Sequence, residues 1–369
     1  MKLLIILAAL GKEGISNSVV TYLENMDRTG FSITIGVAGP IDENMNERVS
    51  KLGISAVQFC NRMKYPVSYF FQLLRLLNKD KYDIMHVHGN SATLGLDLLS
   101  GCLAGVPVRI AHSRNSSCTH KIVEKLMRPL FYATYTEGFA VSKEAGDWLF
   151  PGRRYTIIPN GKNLDRFIFD KDKRELIRKE NGIGNEIILG HVGAFNRQKN
   201  HKYLIDIFYE LVKRETGEPK YQLWLFGPDD GEKDNVLQQI NSLGLGDKVK
   251  IFDYKNNIQD YLSAMDIMIF PSLYEGLPNV VVEWQISGLP CLISQTITKE
   301  CKVFDTVEYL DIEAKVDVWA DRIQKIALED RETKEILIRK GIADAGYDIK
   351  NNAEMLRKKY LHLVKEELP

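Results

Sequence analysis

Short apolar runs alternate with stretches of helical periodicity along the whole chain. This alternation predicts parallel β-sheets with helices on both faces, because a strand covered on two sides is apolar throughout and shows no polar alternation. In the first half, strands are expected over Leu3 to Leu10, Ser32 to Val37, Ile84 to Val87, Val108 to Ala111 and Gly138 to Val141. In the second, they are expected over Ile187 to Val192, Gln222 to Phe226, Val249 to Phe252, Ile267 to Phe270 and Cys291 to Ser294. Tyr203, Leu204, Ile207, Phe208, Leu211 and Val212 fall on one stripe of an intervening helix. The pattern predicts an α/β fold made of two doubly wound halves. Between them, Tyr155-Thr-Ile-Ile-Pro-Asn-Gly161 leads into a charged segment from Asp170 to Glu175, which sets the boundary near residue 170. The expected domains are 1–169 and 170–350, followed by a terminal helical segment over 351–369.

The length of 369 residues agrees with this division, since one core rarely grows beyond roughly 250 to 300 residues. Charge is balanced overall, with 49 basic and 49 acidic side chains, but its distribution is uneven. From Met1 to Arg166 there are 20 Lys and Arg against 14 Asp and Glu, and the remainder holds 29 against 35. A basic first half suits a surface facing anionic lipid or a phosphorylated acceptor. Arg62, Lys64, Tyr65, Tyr69, Phe70, Phe71, Arg75 and Lys79 interleave cations with aromatics, as a lipid-facing helix or an ordinary amphipathic one does. No nucleic-acid module is visible. Five cysteines without a Cys-x-x-Cys pair point to reduced thiols in the cytoplasm. The opening Met1-Lys-Leu-Leu-Ile-Ile-Leu-Ala-Ala-Leu-Gly11 reads as a first strand flowing into a glycine loop, not a leader. No apolar run reaches the roughly 18 residues of a membrane span, so membrane contact is expected to be peripheral, at the inner face of the cell membrane.

The most telling stretch is Pro271-Ser-Leu-Tyr-Glu-Gly-Leu-Pro-Asn-Val-Val-Val-Glu-Trp284. It follows a short apolar strand, Gly276 permits an unusual turn, and Pro278 suits the first position of a helix because it has no amide hydrogen to leave unpaired. A helix starting near Pro278 would aim the free amides around Gly276, Leu277, Asn279 and Val280 at whatever lies above the strand end, and an anion such as a phosphate is the natural guest. Glu275 at the loop mouth and Glu283 more than one turn into the helix would accept hydrogen bonds from hydroxyls at two parts of one ligand, as a nucleotide-sugar offers.

Glu275 and Glu283 in this context, with the trailing Gly288-Leu289-Pro290, resemble the motif of the retaining glycosyltransferases of family 4, especially bacterial ones that build capsular polysaccharide and exopolysaccharide. The resemblance implies the GT-B fold, two Rossmann-like domains facing a cleft, with a nucleotide-sugar donor held by the second domain and the terminal helix packed back on the first. It implies transfer of a sugar to a hydroxyl of a lipid-linked saccharide, with Glu283 on the ribose, Glu275 on the sugar and no dedicated metal or other cofactor. Family members carry a glycine, commonly an arginine, and then a lysine after the first strand of the second domain. In Gly190-His-Val-Gly193-Ala-Phe-Asn-Arg197-Gln-Lys199 the glycine is Gly193, the lysine is Lys199, and Ala194 stands where the arginine is usual. Arg197 is the candidate for the missing charge.

The resemblance also assigns a catalytic role to His112, expected just past a strand end, while Arg114 occupies a place where a second histidine is common. Gly11 and Gly14 would form the loop that closes on the donor phosphates. That loop holds only two glycines and the following strand ends without an acidic residue, which excludes an NAD-binding fingerprint. His86 and His88 alternate as on a strand, and no local carboxylate or cysteine completes a metal set. Asp170-x-Asp172 reads as the start of a solvated helix. The alternatives to a transferase are a nucleotide-sugar epimerase of the same architecture and a non-catalytic nucleotide-sugar-binding regulator of polymer assembly.

Overall fold

The computed structural model describes residues 1–11, 14–118 and 120–367. Two compact units divide the chain: one comprises Met1–Lys162 and Gly346–Pro369, the other Asn163–Ala345.

The first unit is built on a seven-stranded parallel sheet of β1 (Lys2–Leu7), β2 (Ser32–Val37), β3 (Ser55–Gln58), β4 (Ile84–Gly89), β5 (Val108–Ser113), β6 (Glu137–Ala140) and β7 (Thr156–Ile157), in the order β3-β2-β1-β4-β5-β6-β7. The two faces of β1 enter different cores. Leu3, Ile5 and Leu7 pack with the Gly14–Asn25 and Ile349–Glu367 helices, whereas Leu4 and Ile6 pack with Tyr69, Leu73 and Leu77 of the Pro66–Asp80 helix. This two-residue periodicity of a strand buried on both sides explains its unbroken apolar run.

The second unit holds a six-stranded sheet of β8 (Ile187–Val192), β9 (Tyr221–Phe226), β10 (Val249–Phe252), β11 (Ile267–Phe270), β12 (Cys291–Ser294) and β13 (Val307–Leu310), in the order β10-β9-β8-β11-β12-β13. The stripe Leu204, Ile207, Phe208 and Leu211 of the His201–Lys213 helix is buried with Leu189, Leu223 and Leu225 of the sheet. In both sheets the strand order reverses beside the first strand of the unit, which is where open parallel sheets place ligands at the carboxyl ends of their strands.

Some boundaries differ from the sequence expectation. β1 ends at Leu7, and Leu10 makes only an isolated bridge to Ile41. β3, β7 and β13 are unpredicted strands at or near sheet edges; Ser-Ala-Val-Gln, Thr-Ile and Val-Glu-Tyr-Leu are too short or too polar to stand out. The units meet at Lys162/Asn163, several residues before the boundary expected at 169/170. Phe167 of the short Leu164–Phe167 helix is buried, and Arg166 donates to the Asn256 carbonyl of the second unit at 2.8 Å. The return falls at Ala345/Gly346, ahead of the expected 350/351, because the terminal helix begins at Ile349 and is preceded by a bridge between Lys162 and Asp348.

The charged segment after the boundary has a structural role. Asp170 caps the Lys171–Glu180 helix by accepting from the Lys173 amide at 3.0 Å. From that helix Arg174 donates to the carbonyls of Ser263, Ala264 and Met265, which end the Ile258–Ala264 helix, and to Asp266 at 2.6 Å. A cation at a helix carboxyl end satisfies orphan carbonyls and complements the dipole.

Candidate functional site

In the second unit, β8 and β11 lie side by side, so the loops leaving them meet. After β8 the chain passes Gly193 and enters a turn of 3₁₀ helix over Arg197–Lys199, which Asn196 caps by accepting from the Lys199 amide at 3.1 Å. Asn200 then adopts the left-handed conformation, φ 55°, and starts the His201–Lys213 helix. Asparagine tolerates that region better than most side chains. The loop after β11 is tied to this turn. The Leu273 amide donates to the Gln198 carbonyl at 2.9 Å, Gln198 Nε2 to the Tyr274 carbonyl at 2.9 Å, and Asn200 Nδ2 to the Pro271 carbonyl at 3.2 Å.

These ties bring Lys199 Nζ to 2.6 Å from Glu275 Oε1. The pair is largely withdrawn from solvent, with side-chain exposures of 16 % and 9 %. Lys199 Nζ also lies 4.7 Å from the Phe270 ring centroid, a cation–π distance. Its aliphatic stem lies over Gly193, where a Cβ would stand 3.0 Å from Lys199 Cδ, so a side chain there would push the lysine away. Gly193, Lys199 and Glu275, separately predicted, form one contact set.

The helix after Glu275 runs from Asn279 to Ile286 with Pro278 at its cap, one position before the place expected for the proline, and no side chain caps it. Its first amides are therefore available to a ligand, and the dipole favours an anion there. Gly276 and Leu277 form the approach, and Glu283 lies partly exposed in the helix. Val281, Val282, Trp284 and Ile286 are buried, and Trp284 meets Phe270 edge-on at 5.2 Å. Gln285, also buried, donates to the Val281 and Cys301 carbonyls and accepts from the Val303 and Phe304 amides, so all its polar atoms are engaged. Sequence reading missed this clamp, since nothing in its spacing distinguishes it from a surface glutamine.

Arg197 is exposed and makes no ion pair among the described residues. It lines a cavity of about 650 Å³ with Asn200, His201, Glu232, Asn235 and Gln239, whose lining does not include Lys199 or Glu275.

In the first unit, Gly14 opens the Gly14–Asn25 helix, and the Gly11 amide donates to Ser16 Oγ at 3.2 Å. A Cβ on either glycine would meet nothing within 4 Å, so packing alone does not require glycine at these places. His112 lies inside β5, not past its end, and is 1 % exposed. It stands in register with His88 of β4, with His86 two residues back on the same face. The His86 ring stacks on both others, its centroid 5.1 Å from that of His112 at 7°, while His88 and His112 are tilted at 34°. One ring nitrogen from each lies within 4.8 Å of the other two, a cluster the local sequence around His86 and His88 hid because its third member comes from the neighbouring strand. His86 Nδ1 bonds Tyr360 Oη at 2.6 Å, and His86 Nε2 bonds His112 Nδ1 at 3.0 Å. His88 Nδ1 and His112 Nε2 are buried without a partner. Burial, reinforced by the Arg114 charge, lowers the pKa of His86 to about 3 and those of His88 and His112 well below the usual value, so all three are neutral at pH 7.

Two parallel-sheet units of this kind define the GT-B class, and the chain matches known structures of it from end to end. The structure of Alr3699/HepE from Anabaena in complex with UDP superposes with a TM-score of 0.79 at 16 % identity, covering 98 % of this chain and 100 % of that one. Residues 172–344 match the model of the glycosyl transferases group 1 and residues 12–166 that of glycosyltransferase family 4. The chain is 32 % identical over 294 residues to EpsF of Bacillus subtilis, which is named as a glycosyltransferase, covering 76 % of this chain and 74 % of EpsF. It is 25 % identical over 351 residues to the UDP-Gal:alpha-D-GlcNAc-diphosphoundecaprenol alpha-1,3-galactosyltransferase of Escherichia coli, covering 89 % and 87 %. The capsular polysaccharide biosynthesis glycosyltransferase CapH of Staphylococcus aureus is 27 % identical over 310 residues, 79 % of this chain and 80 % of CapH. The chain belongs to the group 1 and family 4 glycosyltransferases.

Proposed function

We propose that the chain is a retaining hexosyl- or N-acetylhexosaminyl-transferase. In this reading it moves a sugar from a nucleotide diphosphate, a UDP-sugar, to a hydroxyl of a lipid-linked saccharide in capsular or exopolysaccharide synthesis. The observation that carries the reading is the sheltered Lys199–Glu275 pair beside an uncapped helix start. Support for the donor and acceptor comes from the relatives: the Escherichia coli enzyme is named for UDP-Gal and a diphosphoundecaprenol-linked sugar, and the Anabaena structures hold UDP or UDP-glucose.

As the anomeric carbon–oxygen bond breaks, the electron pair stays on the leaving diphosphate. Lys199, the amides of Gly276, Leu277 and Asn279, and Arg197 from its exposed position would stabilise that growing charge, which is stronger in the transition state than before it. Glu275 would accept hydrogen bonds from hydroxyls of the transferred sugar through the oxygen not held by Lys199, and Glu283 from those of the ribose. The acceptor oxygen bonds to the anomeric carbon on the face the diphosphate leaves, and its proton passes to a diphosphate oxygen. The cations and amides of the chain supply the positive charge this scheme requires, so it invokes no dedicated metal. His112 with its unpartnered Nε2, and the Gly11–Gly14 loop, belong to the reaction side of the first unit in this scheme.

A lipid-linked acceptor implies work at the inner face of the cell membrane. No helix among the described residues is long and apolar enough to cross a membrane. Met63, Tyr65, Val67 and Phe71 are exposed at the start of the Pro66–Asp80 helix, and Ile122 and Leu126 at the start of the Lys121–Thr134 helix. Both helices leave the carboxyl edge of the same sheet, with Lys64, Lys121 and Lys125 beside those apolar groups, a combination that supports peripheral contact.

Purified protein offered UDP-, GDP- and dTDP-sugars is expected to release nucleotide from one UDP-sugar and to transfer its sugar to a lipid-linked acceptor. A changed sugar still joined to nucleotide would contradict transfer. Glu275→Ala should keep the fold and lose turnover, and an active variant removes the role given to Glu275. Arg197→Ala is expected to weaken binding of the free nucleotide diphosphate about tenfold, the loss typical of a charged hydrogen bond; unchanged affinity removes that residue from the site.

A further inference from the structure

Arg114, two residues beyond His112 and past the end of β5, lines a small cavity in the first unit. The cavity, about 20 Å³, has room for a single oxygen atom. It is lined by Tyr22, His86, His88, His112, Arg114 and Tyr360 among apolar side chains. The guanidinium is largely enclosed, and desolvation lowers its pKa to about 10. Its one hydrogen bond among the described residues runs from Nη2 to Asn160 Oδ1 at 2.6 Å, and that oxygen also accepts from Ser18 Oγ. No carboxylate of the described residues pairs with it. A sheltered guanidinium with unused donors and no counter-charge is unfavourable unless something completes it.

The histidines show what would. His86 has both ring nitrogens engaged, whereas His88 Nδ1 and His112 Nε2 are buried without a partner. A divalent cation drawing on all three imidazoles would have to displace a hydrogen bond of His86 and would face a guanidinium, which repels it. An anion meets the opposite situation. When Tyr360 donates to His86 Nδ1, His86 Nε2 carries the proton it gives to His112 Nδ1, and neutral His112 is left with its hydrogen on Nε2. The relay then presents an N–H donor beside the Arg114 cation, without charging any histidine.

We propose that this corner of the first unit is a subsite for one oxyanion borne by a saccharide, a carboxylate or a phosphate, and that Arg114 is the residue that selects it. One anionic oxygen enters the cavity between His88 and His112 while the rest of the group stays at the guanidinium. Identifying the bearer of that anion with the acceptor rests on the transfer reaction proposed above; the subsite itself rests only on the geometry.

The test is binding of glucuronate, glucose 6-phosphate and neutral glucose to the full chain by titration calorimetry, with no donor present. Wild type and Lys199→Gln are expected to bind at least one of the two anionic sugars alike and to ignore glucose. Arg114→Gln should weaken that binding at least about tenfold, the loss typical of a charged hydrogen bond, and Arg114→Lys should retain most of it. Binding of glucuronate alone assigns an acidic sugar, and of the phosphate alone a phosphorylated one. A second readout is the ligand-free melting temperature: relieved of an uncompensated charge, Arg114→Gln should melt no lower than wild type, whereas a structural arginine would lower it. The proposal is overturned if neither anionic sugar binds wild type, if binding survives Arg114→Gln, if it is lost in Lys199→Gln, or if Co(II) binds stoichiometrically with a histidine-ligand spectrum. None of these outcomes depends on turnover, so failure of the transferase reading is seen separately in the donor panel.

Discussion

Lys199 serves both ends of the proposed chemistry, holding Glu275 in place while presenting charge to a diphosphate. Removing it leaves the Glu275 carboxylate sheltered without its partner. Loss of one member of a buried pair typically costs about 3 kcal/mol or more, and the remaining exposure of this pair moderates the effect. Lys199→Met is therefore expected to destabilise the protein by about 2 kcal/mol and to abolish turnover, read by denaturant unfolding and the transfer assay together; full stability would show that Glu275 does not need the lysine. The neutral histidines give the first unit a pH signature. In the unfolded chain each titrates near its ordinary value of about 6.5, whereas His86 in the fold titrates at about 3. Between these values the unfolded chain binds more protons, so stability is full above about pH 6.5 and falls as pH drops, by up to about 1.4 kcal/mol per pH unit for each such histidine. Urea midpoints constant from about pH 8 to 7 and falling below about pH 6 are expected, with a shallower slope in His88→Gln; midpoints independent of pH down to about 4 would contradict burial of the cluster. At this scale the sequence was half legible. Gly193, Lys199 and Glu275 stood out by spacing, but the third histidine of the cluster depends on the register of β4 against β5, which no local pattern reveals.

The Asn279–Ile286 helix is held more by one polar residue than by its length of eight. Replacing Gln285 by leucine strands the Val303 and Phe304 amides and the Cys301 carbonyl, and each orphaned buried group costs about 1–3 kcal/mol. Gln285→Leu is expected to lower stability by about 3 kcal/mol and to increase hydrogen exchange at residues 301 to 304; unchanged protection there would show that another contact fixes the loop. Just past the cap Ser287, Gly288 at φ 70° terminates the helix, its amide bonding the Gln285 carbonyl while the Leu289 amide bonds the Trp284 carbonyl. That geometry is why glycine precedes Leu-Pro in the motif. Central strands were legible because burial on both faces imposes apolar runs on β8, β9, β11 and β12. The missed β3, β7 and β13 need less apolar sequence because they lie at or near sheet edges.

At the scale of the whole molecule, the chain leaves the first unit at Lys162 and returns to it at Gly346. Ile349, Ala353, Leu356, Tyr360 and Leu363 of the terminal helix are buried in the same core as Leu3, Ile5 and Val20. The first unit is therefore complete only with its last residues, whereas 163–345 is continuous and has its own core. A fragment of 163–345 is expected to unfold cooperatively, while 1–162 alone should lack a sharp transition; a cooperative 1–162 fragment would show that the helix is an accessory. Chain halves were legible from alternating strands and helices, and the terminal segment was recognisable as a helix. Its place in the first core was expected only by family resemblance, since its pattern does not say which partner it covers.

The account rests on a diphosphate docking at the helix start after Glu275. A crystal structure with a bound UDP-sugar tests this most directly. The expected result is diphosphate oxygens within hydrogen-bond distance of the Gly276, Leu277 or Asn279 amides and of Lys199 Nζ, with Glu283 on the ribose. A UDP-sugar bound elsewhere, with those amides facing only solvent, would contradict it.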